Sequence, residues 1–116
     1  MKLEVGMYAR TKEGFIAKIK EIKTNERLHL YLKTIYTDNY QIDMVLEDEI
    51  SKASYNIIDL IEVGDYVNGH TVKMIKEDKS KIDIGEGEDY FWLRNQDIKS
   101  IVTKEQFESI KYSLEG

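Results

Sequence analysis

Two imidazoles, several clusters of carboxylates and a set of aromatics flanked by cations are the chemistry this chain can offer. His29 and His70 are its only histidines, and it has no cysteine. Thiol nucleophiles, disulfides and Cys-ligated zinc or iron–sulfur centres are therefore excluded. Neither histidine stands at a diagnostic spacing from a further ligand or base. No Walker loop, nucleophile elbow or HExxH pattern is present. Gly85-Glu86-Gly87 has the letters of half a nucleotide loop, but its glutamate would repel phosphate and no helix follows. We therefore expect no catalytic residues, no metal site and no cofactor, and a protein that is not an enzyme.

The aromatics say more. If Asp89–Arg94 is a strand with Phe91 and Leu93 on the core side, Tyr90, Trp92 and Arg94 share the other face. Two aromatics and a cation at alternate positions form a strip on which a base or a partner side chain can stack. The competing reading is that this face packs away and buries Trp92. Arg27, His29, Tyr31 and Lys33 make a second such combination on an expected strand over 27–33, and Arg10 can join it from a neighbouring strand. An ordinary solvated strand face explains these residues equally well. His70 reads as a packed or edge-strand residue. The acidic groups Glu47, Asp48, Glu49 and Glu86, Glu88, Asp89 lack the spacing of a calcium loop. They are either solvated turns or a surface for a basic protein partner.

Charge sharpens this picture. Seventeen Lys and Arg stand against 22 Asp and Glu in 116 residues, for a net charge of −5. Such a chain is a poor general nucleic-acid coater, because neutralising phosphates needs a local excess of cations. The charge is uneven, however: residues 1–33 hold eight Lys and Arg against four Asp and Glu. A local anion-binding surface is thus compatible with the negative total. With 41% hydrophobic and 34% charged residues, and only short apolar runs, we expect a folded domain, no membrane association and a cytoplasmic location.

The elements that must position these residues come in two sets. Leu3-Glu4-Val5-Gly6-Met7-Tyr8 reappears as Ile61-Glu62-Val63-Gly64-Asp65-Tyr66, with four identities in six positions. Gly14–Ile19 aligns with Gly69–Met74, and Leu46 and Ile50 align with Leu93 and Ile98 if one residue is inserted. This divides the chain at 1–60 and 61–116, with an apolar join at Ile57–Ile61 expected to be buried. Alternation predicts strands at 15–23, 27–33, 40–45, 70–76, 81–84 and 89–94. Thr103-Lys104-Glu105-Gln106 has the form of a capping box, so a short helix is expected at about 103–111, burying Phe107 and Ile110.

Val63-Gly64-Asp65-Tyr66-Val67, followed by a Gly turn and an alternating strand, resembles the start of SH3-like and KOW-type small barrels. The first copy departs from that pattern at Met7. The resemblance implies a mainly β fold: two tandem SH3-like curved sheets or barrels packed together, ending in a short helix. Over MKLEVGMYARTKEGFIAKI, SKASYNIIDLIEVGDYVNG and DIKSIVTKEQFES, the chain resembles small accessory proteins of phages and prophages in low-GC Gram-positive bacteria. That resemblance implies counter-defence in the host cytoplasm. The leading expectation is sequestration of a small nucleotide-type immune signal. The alternatives are an anti-CRISPR-type inhibitor of a host defence protein, acting through the acidic residues, and a phage structural or assembly protein. Sheet edges add the expectation of a homo-oligomer.

Overall fold

The computed structural model describes residues 2–27 and 30–110, with residues 27 and 30–32 described by their backbone alone. The chain divides into two compact units, Met1–Leu60 and Ile61–Gly116. Both are mainly β with antiparallel pairing, and one short α-helix follows near the C-terminus.

In the first unit, β1 (Tyr8–Thr11), β2 (Ile16–Arg27), β3 (Leu30–Thr37), β4 (Met44–Leu46) and β5 (Ile50–Ser54) form one sheet in the order β4-β3-β2-β1-β5. The chain enters β1 through a tight turn in which the Met7 N–H donates to the Glu4 carbonyl at 3.2 Å. Gly6 lies there at φ 95°, a conformation that a side chain would strain. The turn is stapled to β2 by two bonds of 2.8 Å, Gly6 N–H to Ile19 O and Ile19 N–H to Met7 O. The β2–β3 register then shifts between Ile19 and Glu21, an irregularity of the kind that bends a strand. Leu3, Ala9, Ile19, Ile35, Val45 and Ile50 close into the core, with Met7, Ile22, Ile42 and Ala53 packed against it. A single 3-10 turn, Glu47–Glu49, connects β4 to β5, and the Glu49 carboxylate accepts the Leu46 N–H at 2.8 Å.

The second unit repeats these bonds. The Asp65 N–H donates to Glu62 O at 3.0 Å, Gly64 N–H to Val72 O at 3.0 Å and Val72 N–H to Asp65 O at 2.8 Å. Gly64 has φ 98°. Strands β6 (Tyr66–Val67), β7 (His70–Thr71), β8 (Met74–Ile75), β9 (Ile82–Asp83), β10 (Trp92–Leu93) and β11 (Ile101–Val102) form two small sheets, β11-β6-β7 and β10-β9-β8. Taking β7 and β8 as one strand interrupted at 72–73 reproduces the strand order of the first unit. A 3-10 turn, Asn95–Asp97, stands where Glu47–Glu49 stands, and the Asp97 carboxylate accepts the Arg94 N–H at 3.0 Å.

The shared bonds correct the sequence alignment of the halves. Ile35 pairs with Val45 as Ile82 pairs with Leu93, so Leu93 matches Val45, Arg94 matches Leu46, and no residue is inserted. Ile19 matches Val72, two positions away from the sequence alignment. The physical reason is the turn: Asn68 and Gly69, at φ 52° and 82°, link β6 directly to β7 with Val67 opposite His70. The first unit uses the longer 12–15 segment. Once realigned, the pairs Ala9/Val67, Ile19/Val72, Ile35/Ile82 and Val45/Leu93 are buried in both units.

Other expectations also change. The expected strand over 27–33 is split between β2 and β3, with Arg27 paired to Leu30. The strand expected from Tyr40 begins at Met44, and Tyr40 is 90% exposed in the preceding turn. The capping box forms, with the Gln106 N–H donating to Thr103 Oγ1 at 3.2 Å and the Thr103 N–H to Gln106 Oε1 at 3.1 Å. It opens α1 (Lys104–Ile110). Phe107 packs against Tyr66 with ring centroids 4.8 Å apart and planes tilted by 33°, yet it is 39% exposed and Ile110 is 76% exposed, so neither is buried as expected. Ile58, Leu60 and Ile61 in the join are buried. No helix among the described residues is long and apolar enough to cross a membrane.

Candidate functional site

The second unit gathers an aromatic and cationic patch on one face of its β10-β9-β8 sheet. Asp83 is its foundation. The residue is buried, and its Oδ1 accepts the N–H groups of Gly85 at 2.8 Å and Phe91 at 2.9 Å. Desolvation works against ionisation of this carboxyl. The two backbone donors and the nearby Lys73 charge outweigh it, so its pKa is lowered from the ordinary 3.8. The same bonds fix both ends of the loop between β9 and β10. Backbone crowding holds it further, because a Cβ on Gly85 would lie 2.1 Å from the Asp89 carbonyl oxygen.

Trp92 and Met74 both pair with Asp83, so the three share a face. Two residues further along the β8–β9 hairpin, Lys76 and Lys81 return to that face, and the Lys76 N–H donates to Lys81 O at 3.1 Å. Their ammonium groups lie 5.4 and 5.5 Å from the Trp92 ring centroid, within cation–π range. Tyr90 lies beside Trp92 with its ring nearly parallel, at 4° and 5.9 Å between centroids. That spacing is ring-to-ring contact, so the pair makes one tile and not a slot for a third ring. Tyr90 is 65% exposed, Trp92 is half-buried and Arg94 is exposed at the end of the strand. At the hairpin tip, Asp78 accepts Ser80 Oγ at 2.6 Å and the Ser80 N–H at 3.0 Å. These bonds, with the charges of Lys76 and Lys81, lower its pKa from the ordinary 3.8.

Tyr90 and Trp92 thus lie together as expected, and Lys76 and Lys81 join them unannounced by sequence. Their signal is a strand register: only the pairing of β8, β9 and β10 places them over Trp92. Phe91 departs from its expected core position and is 59% exposed, because the loop N–H it donates to Asp83 fixes the backbone in place of a ladder. Arg10 does not join the second expected combination. Arg10 is 1% exposed, and its guanidinium donates to the Leu60 carbonyl at 2.9 Å, so it ties β1 to the end of its unit. Arg27 pairs with Leu30 and the expected partner Tyr31 with Glu26, register positions out of phase along the ladder. Lys33 is exposed opposite Thr24. His29 and the side chains of Arg27 and Tyr31 lie outside the described residues.

Each unit also carries a groove between its first hairpin and the loop before β4 or β10. In the first, a cavity of about 470 Å³ is lined by residues that include Glu13, Phe15, Ile42, Asp43, Met44 and Asp48. In the second, about 380 Å³ is lined mainly by Ile84, Phe91 and Leu93, with His70 and Glu86 at the edge. His70 sits on the edge strand β7, its Nδ1 4.0 Å from Glu86 Oε1. Of the acidic residues expected to meet a protein, Asp48 and Glu49 border the first groove, while Glu47 is half-buried beside it. Glu86, Glu88 and Asp89 are exposed in the loop over 85–91. Among the described residues, no group of three or more His, Asp or Glu is placed to hold a metal ion. No family model matches this chain, and neither a curated protein nor a solved structure matches it.

Proposed function

We propose that this chain is a non-enzymatic binding protein made of two copies of one SH3-like module, and that the second copy holds a small nucleotide-type ligand. The observation that carries the reading is the tile itself: an exposed Tyr90 ring parallel to Trp92, with two ammonium groups within 5.5 Å of the indole centroid. A base stacks on the open aromatic surface, and the lysines, with Arg94 beyond them, meet its phosphate. The shared turn, strand order and 3-10 turn support a common module. The resemblance to phage accessory proteins supports counter-defence in a host cytoplasm, by withdrawal of a nucleotide signal. Self-association is part of the same proposal, since β4 and β5 end the first sheet and strand edges invite pairing.

Trp92 is the only tryptophan, so the site carries its own reporter. Titration with linear and cyclic nucleotides should change its emission saturably. A ligand at a hundred times its Kd should stabilise the fold by about 2.7 kcal/mol. The double variant Lys76→Ala/Lys81→Ala should weaken binding at least about tenfold, the cost of about 1.4 kcal/mol. If no nucleotide alters either the emission or the unfolding midpoint, the reading is wrong.

A further inference from the structure

We infer that the groove of the first unit is a docking site for a basic segment of a partner protein that carries apolar side chains between its cations. The groove runs between the 12–15 segment and the 38–43 loop, with the 3-10 turn Glu47–Glu49 at one side. Its floor is apolar: Phe15 and Ile42 are half-buried, and Met44 is 58% exposed. Its rim is acidic. Glu13, Asp43 and Asp48 are exposed, while Lys12 is the one cation in the lining. No ion pair among the described residues engages these three carboxylates. Glu49 adds charge, although its carboxylate is partly spent on the Leu46 N–H.

Two observations select the occupant. Phosphate and carboxylate ligands are repelled by the rim, so the nucleotide reading of the other unit does not extend here. The carboxylates are also too dispersed for a single cation, since no group of three is placed to hold a metal ion. Dispersed negative charge around an apolar floor suits a chain bearing several separate ammonium or guanidinium groups with an apolar side chain between them. A volume of about 470 Å³ is large enough to take side chains of that size.

The second unit shows that the groove belongs to the module and its lining does not. At the corresponding place, Phe91 stands where Asp43 stands, Gln96 where Asp48 stands, and the Asn68–Gly69 turn removes the wall that carries Glu13. What remains there is mainly apolar. The acidic rim is therefore a property of the first unit alone.

The test uses the whole protein and three labelled octapeptides, alternating Lys–Leu, Lys–Ser and Glu–Leu, followed by fluorescence anisotropy at low and moderate salt. The Lys–Leu peptide should bind, weaken as salt rises, and exceed Lys–Ser and Glu–Leu at least tenfold. The variant Asp43→Lys/Asp48→Lys should lose at least tenfold. The variant Glu88→Lys/Asp89→Lys, with the same change in net charge in the other unit, should stay within twofold. Equal losses in both double variants would reduce the effect to overall charge and overturn the inference. So would equal binding of Lys–Leu and Lys–Ser, which leaves the floor without a role. Both pairs are exposed, and unchanged circular dichroism and unfolding midpoints check that each variant is folded. If light scattering finds an oligomer of the free protein that Asp43→Lys/Asp48→Lys dissolves, the occupant is a second copy, and the partner segment is ruled out. Nucleotide binding at Trp92 is read separately, so either proposal can fail alone.

Discussion

The two units solve the same folding problem with different residues at matched positions. In the first, Met7 follows the entry glycine and packs on the core. In the second, Asp65 takes that place, fully buried, its Oδ2 accepting the Glu62 N–H at 2.7 Å and its Oδ1 the Lys104 N–H at 3.0 Å. The first unit thus closes its turn by apolar packing. The second closes it by hydrogen bonds that also anchor the start of α1. A similar exchange occurs one strand away. Tyr36 pairs with Met44 in the first unit, while Asp83 pairs with Trp92 in the second. Lys23 lies over Tyr36 at 5.3 Å, and Lys76 lies over Trp92 at 5.4 Å. A lysine above an aromatic is therefore common to both units. The stacked Tyr90 and the second lysine are found on the second alone. The lesson is that a small β scaffold, once its turns and buried positions are satisfied, leaves its faces free to diverge.

The comparison breaks most sharply at Gly85. An alanine there would drive its Cβ into the Asp89 carbonyl, so Gly85→Ala should destabilise the second unit by about 3–5 kcal/mol. Urea unfolding followed by Trp92 emission measures this. Next comes a direct exchange: Asp65→Met should cost about 2–4 kcal/mol, because two backbone donors lose their acceptor. Met7→Leu, which conserves packing, should cost less than about 1.5 kcal/mol. If Asp65→Met is as mild as Met7→Leu, the contrast between polar and apolar closure is wrong.

Acid sharpens the difference further. Asp83 has a lowered pKa in the fold, so its contribution is complete above the ordinary value of 3.8 and is lost as pH falls below that through the folded value. The second unit should lose stability across this range, and Asp83→Asn should flatten the slope of the Trp92-monitored midpoint against pH. At the matched position the first unit has Tyr36 and no carboxylate. The smallest effect is at the patch. Lys76→Gln removes one cation–π contact at an exposed site, worth about 0.5–1 kcal/mol, and should shift Trp92 emission with little change in midpoint.

Much of the scaffold was legible in the sequence because it rests on local chemistry. The Val-Gly turn needs a residue tolerant of positive φ, and glycine stands at both places. The capping box at Thr103 closes within four residues. The site was legible in part: Tyr90 and Trp92 alternate on one strand, and their association follows from period two. Lys76 and Lys81 were not legible, because they reach Trp92 across two strand pairings. Arg10 misled for a related reason. A cation among polar neighbours reads as exposed, and only the tertiary fold brings the Leu60 carbonyl to 2.9 Å from it.

The sequence by itself therefore determined the β class, the boundary signal of the repeat, the turns and the cap, all governed by residues within a few positions of one another. The tertiary structure decided the register between the halves, the exposure of Phe91, the burial of Arg10 and the gathering of cations over Trp92. Those depend on which strand lies beside which. A hairpin five residues shorter, Gly64 to Val72 against Gly6 to Ile19, shifts the correspondence between the halves while leaving each local pattern intact.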